Sequence, residues 1–153
     1  MNMKNCRNII LAAAVLVAAS SCSDKVQIKG TIAGAPDTQV VVKQLNGGAL
    51  VALDTVKTDG KGAYSYSVEV LKGQPQFIYL YKGDTKVASL LLQKGDKVKV
   101  ASDTLGKYSV EGSAESELLR QVEEDFAAFL DKFTADAARG DNAAASKAYI
   151  DYS

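Results

Sequence analysis

The chain has no histidine, so the commonest general base and the commonest metal ligand are both missing. Its two cysteines, Cys6 and Cys22, form no CxxC pair, and both lie in the first 22 residues. The acidic run Glu123-Glu124-Asp125 has residue types suited to acid–base work. At helical spacing, however, it points mostly away from the neighbouring phenylalanines, and a solvated face is expected. The glycine-bearing segments at 59–62, 83 and 95 match neither a P-loop nor a dinucleotide fingerprint, and they read as hairpin turns. Arg139-Gly140-Asp141 has the form of a receptor-recognition tripeptide. It sits where one helix should end and another begin, so capping explains it. Lysine and arginine together number 18, as do aspartate and glutamate. That balance leaves no basic excess for nucleic acid. No catalytic residue, metal or cofactor is expected.

Cys22 carries the most specific chemistry. Lys4 and Arg7 precede an unbroken apolar run from Ile9 to Ala19, too short to span a bilayer but suited to an export signal. Ser20 and Ser21 then lead to Cys22. This arrangement resembles a lipobox, in which small residues fit the lipoprotein signal peptidase and the cysteine thiol takes a diacylglycerol. Ala19 stands where that pattern prefers leucine. Residues 1–21 are therefore expected to be a lipoprotein signal peptide, with lipidated Cys22 opening a short linker, 22–24. The expected location is the bacterial cell envelope, on the outer membrane, held through the lipid.

The elements that follow fall into two parts. Over residues 25–112 apolar and polar residues alternate, as in Val26/Ile28/Ile32 and Tyr64/Tyr66/Val68/Val70, and glycine turns punctuate the alternation. About eight short strands predict a mainly β domain, an antiparallel β-sandwich; half-exposed alternation argues against parallel pairing. From Ala114 to Ala138 the period becomes helical, and Leu119, Val122, Phe126, Phe129 and Phe133 step by three and four residues. Ser113 is the expected N-cap and Gly140 the stop. Residues 113–153 thus predict a long helix and a short second one. The phenylalanine stripe should be buried against the β-body, a second domain or a protein partner.

The matching stretches Ile28–Ile32, Leu53–Tyr64, Leu90–Val98 and Val110–Ser113, followed by a long helix, resemble the domain of unknown function family DUF4369. That family occurs at the N-terminus of exported Gram-negative lipoproteins, often ahead of a thioredoxin- or peroxiredoxin-like domain. The resemblance implies that any redox catalysis belongs to such a second domain, so no catalytic residue is carried over. Lipoproteins of this kind can be O-glycosylated at Asp-Thr followed by a small apolar residue. Thr55 in Asp54-Thr55-Val56 and Thr104 in Asp103-Thr104-Leu105 are the candidate acceptors. Two functions follow as expectations. One is a non-catalytic, lipid-anchored domain that binds or scaffolds. The alternative is the accessory half of a thiol–disulfide oxidoreductase system whose catalytic domain is missing or separate.

Overall fold

The computed structural model describes residues 24–152. Eight strands run in order: β1 (Lys25–Ile32), β2 (Gln39–Asn46), β3 (Ala49–Lys57), β4 (Ala63–Glu69), β5 (Gln76–Lys82), β6 (Thr85–Leu92), β7 (Lys97–Ser102) and β8 (Tyr108–Glu111). Two helices follow, α1 (Ala114–Ala138) and α2 (Asn142–Tyr152). The strands form two four-stranded sheets, β4-β1-β7-β8 and β3-β2-β5-β6. The protein is a mainly β sandwich with a helical C-terminal part, as the strand period predicts.

Alternation decides which side chains meet between the sheets. Val26, Ile28 and Ile32 of β1 point inward, with Lys25, Gln27, Lys29 and Thr31 outward. They pack with Val40, Val42, Ile78, Leu80, Leu90, Leu92, Val98 and Val100 into an aliphatic core. Tyr64 is the one aromatic residue buried within it. Its ring lies across Gly30, its partner in the β1–β4 ladder, where an added Cβ would come within 2.0 Å of the ring. Gly30 is thus required by close approach rather than by backbone conformation.

Two departures from the sequence reading concern connectivity. The pairing of β1 with β7 is parallel, whereas the other ladders are antiparallel. Alternation reports which face is buried, not strand direction, so it could not exclude this pair. The segments at 59–62 and 95 are not hairpin turns. Each carries the chain from one sheet to the other, β3 to β4 and β6 to β7. Their local chemistry is still that of a tight reversal. The Asp59 carboxylate accepts from the Lys61 and Ala63 N–H groups, and Gly62 takes φ 83°. Thr58, buried, then donates its hydroxyl to the Ala35 carbonyl and anchors the arch to the β1–β2 connection. Of the three glycine-bearing turns, only that at Gly83, between β5 and β6, is a hairpin.

Candidate functional site

Helix α1 starts where Ser113 caps it: the Ser113 hydroxyl accepts from the Ser116 N–H, and Glu115 and Glu117 sit at the positive end of the dipole. The same turn ties the helix to β6. Ser116 donates to the Leu91 carbonyl at 3.1 Å and accepts from the Leu91 N–H at 3.0 Å. Two turns on, Glu123 reaches both sheets. Its carboxylate accepts from Lys86 (2.6 Å) and Ser89 (2.8 Å) on β6 and from the Tyr108 hydroxyl (3.0 Å) on β8. The helix therefore closes the side of the sandwich where β6 and β8 form the edges.

Glu123 corrects the sequence reading of a solvated acidic face. Its neighbours Glu124 and Asp125 are exposed, but Glu123 is half-buried and saturated with donors. Burial pushes its carboxyl up; the Lys86 and Ser89 hydrogen bonds, the Lys86 charge and the Tyr108 hydroxyl outweigh that and hold it below its ordinary value. Burial, then the Glu123 charge, pushes the Tyr108 hydroxyl up. The signal that could have revealed the role of Glu123 lies in the helical period: Ser116, Arg120 and Glu123 share one line of the helix at about 100° per residue.

The apolar stripe runs along a second line, about 100° round from the first. It does not lie on the β-body. Phe129 stacks on Tyr152 of α2 with ring centroids 4.6 Å apart; Phe126 and Phe133 flank Phe129 at 6.2 and 5.8 Å. Leu119, Phe129 and Phe133 are half-buried. Leu118 (57%), Val122 (52%) and Phe126 (47%) stay exposed, and Leu130 beside them is 40% exposed. The sheets already occupy the polar line, so α2 is the element that covers part of the stripe. Arg139-Gly140-Asp141 links the two helices as a cap. Gly140 takes φ 74° and the Asp141 carboxylate accepts from the Ala144 N–H at 2.9 Å.

Neither modification candidate lies on this face. Thr55 is exposed on β3, an edge strand, with its N–H donated to the Asp54 carboxylate. Thr104 is half-buried in the β7–β8 turn, where the Asp103 carboxylate accepts from the Leu105 and Lys107 N–H groups. Cys22 and the signal segment lie outside the described residues.

Fold and surface together define a two-sheet sandwich sealed along one side by a helix that keeps an apolar face turned outward. The chain belongs to the family described as domain of unknown function DUF4369, whose model matches residues 26–119, more than half of the sequence. No curated protein matches it. Among solved structures, the cytotoxin suilysin from Streptococcus suis is similar at 16% identity and a TM-score of 0.25. That match covers 57% of this chain and 23% of suilysin.

Proposed function

We propose that this chain is a non-catalytic, lipid-anchored domain of the bacterial cell envelope that binds or scaffolds a protein partner through its C-terminal helix. One observation carries the binding role. Leu118, Val122 and Phe126 form an exposed apolar strip on a helix already fastened to the sandwich by other residues. Exposed clusters of this kind, flanked here by the exposed Asp125, mark interaction surfaces. The anchor rests on the export signal and Cys22, and the outer membrane is its proposed site. Thr55 and Thr104 are proposed O-glycan acceptors on that exported domain. Cell fractionation of a Cys22→Ser variant tests the anchor. The variant should leave the lipid-bearing pool and lose the acyl mass at residue 22, and unchanged membrane sedimentation without acylation in the parent would overturn it.

The family match ends at residue 119, ahead of most of the apolar strip. In a second reading the strip serves a thioredoxin-like catalytic partner and this domain is its accessory half. A CxxC-bearing protein cross-linked to α1 would support it.

A further inference from the structure

A second surface, remote from the helix face, has the makings of a ligand site. The outer face of the β4-β1-β7-β8 sheet carries a groove of about 740 Å³, within the size range of small-molecule sites. Lys29, Thr31, Ser65 and Lys99 line it from the strands, and Lys57 closes one end. By strand alternation these side chains stand outward, while Gly30, Tyr64 and Val100 point into the core and leave the floor to backbone.

The parallel β1–β7 register concentrates the charge. It sets Lys29 directly opposite Lys99, and Lys97 opposite Gln27 one step along the face. Neighbouring strands lie about 4.8 Å apart, and like charges directly opposite destabilise a sheet. Neither Lys29 nor Lys99 has an ion pair or hydrogen bond among the described residues. Glu111 stands across the β7–β8 ladder from Lys99 without pairing with it, and Glu69 lies at the far end of β4. At the groove's end Lys57 pairs with Asp37 at 3.2 Å, and the Asp59 carboxylate is committed to its own turn. Lys29 and Lys99 thus carry no bonded counter-ion among the described residues and are open to an outside anion, even with Glu111 and Asp59 nearby.

From this arrangement we infer that the groove binds an acidic oligosaccharide, one that carries carboxylate or sulfate groups along a hydroxyl-rich backbone. The two ammonium groups meet its charges, and the Thr31 and Ser65 hydroxyls suit its hydroxyls. The strands of this face present lysine, glutamine, serine, threonine, alanine and glutamate outward, with no large aliphatic side chain to receive an acyl chain.

Isothermal titration of the full chain in non-ionic detergent, with an oligogalacturonate and a heparin-derived tetrasaccharide as probes, tests the site. At least one probe should bind at low salt and weaken as salt rises. The double variant Lys29→Gln/Lys99→Gln should weaken binding by about tenfold or more. Its melting temperature should equal or slightly exceed the parent's, because both side chains are exposed and their mutual repulsion is removed. Lys72→Gln, in the β4–β5 turn outside the groove, should keep the parent's affinity. Equal affinity of the double variant and the parent, or no binding of either probe, overturns the inference. Binding only to vesicles of anionic phospholipid would overturn it too, since a general basic surface would then be at work.

Discussion

Glu123 shows how one side chain can join three elements. A single carboxylate takes hydrogen bonds from β6 and β8 while riding on α1, so its removal loosens the seal rather than the core. Hydrogen bonds to a charged, half-buried group are worth about 1.5–3 kcal/mol. Glu123→Ala should therefore lower unfolding stability by about 2 kcal/mol, read as a lower urea midpoint at unchanged slope. The pH dependence has a definite sign. The folded carboxyl titrates below its ordinary value of 4.5, so the unfolded chain binds the proton first as acid is added. The stabilisation is fully present above about pH 4.5 and is lost as pH falls through the folded value. The stability difference between the parent and Glu123→Gln should be flat near neutrality and shrink below that point. A difference that stays constant down to pH 3 would show that the charge contributes nothing.

At the scale of elements, the sequence was legible wherever periodicity alone decides. The alternation at Val26/Ile28/Ile32 marks β1, and the three-and-four spacing from Leu119 to Phe133 marks α1; the structure has both. What periodicity cannot convey is which element meets which. Asp59–Gly62 reverses the chain as its residues require, yet whether β3 and β4 then pair or separate depends on the Thr58 anchor to Ala35 and on the Ile32 N–H bonded to the Gly62 carbonyl. Those contacts lie more than 20 residues away in sequence. The helix illustrates the same limit: the phenylalanine stripe was the obvious candidate to pack on the sheet, but a line of serine and glutamate won because β6 and β8 offer edge groups and hydroxyl partners there. The candidate groove was missed because it depends on the parallel β1–β7 register, which no local pattern encodes. The division of α1 into two lines has a consequence for α2. Phe129 carries the stacked contact with Tyr152, so Phe129→Ala should free α2 while leaving the sandwich intact. Hydrogen exchange should then quicken across residues 142–152 and stay unchanged in β1 and β5. Uniform quickening throughout would mean that α2 belongs to the same cooperative unit as the core.

The whole molecule divides its apolar residues unevenly. The sandwich core is aliphatic, while three of the four phenylalanines sit on α1, outside it. The chain thus folds around one set of apolar side chains and displays part of another. That separation makes the interaction reading testable without unfolding the protein. Val122 and Phe126 are about half exposed, and neither touches the hydrogen bonds that fasten α1 to the sheets. Full burial of such a side chain is worth about 1.5–3 kcal/mol. At a partner interface the pair therefore contributes a few kcal/mol, and charging both positions should weaken association by well over tenfold. Within the isolated chain, the Val122→Asp/Phe126→Asp variant loses mainly the Phe126 contacts with Phe129 and Tyr152, so its core unfolding transition should shift little. Sedimentation and cross-linking in native envelopes should show the parent in an assembly from which this variant is missing. If the variant keeps both the parent's transition and its assembly, the strip is solvent-facing surface and the binding role must rest elsewhere. A collapse of the core transition would instead make the strip a structural part of the sandwich, against the geometry in which Ser116 and Glu123 fasten the helix to the sheets.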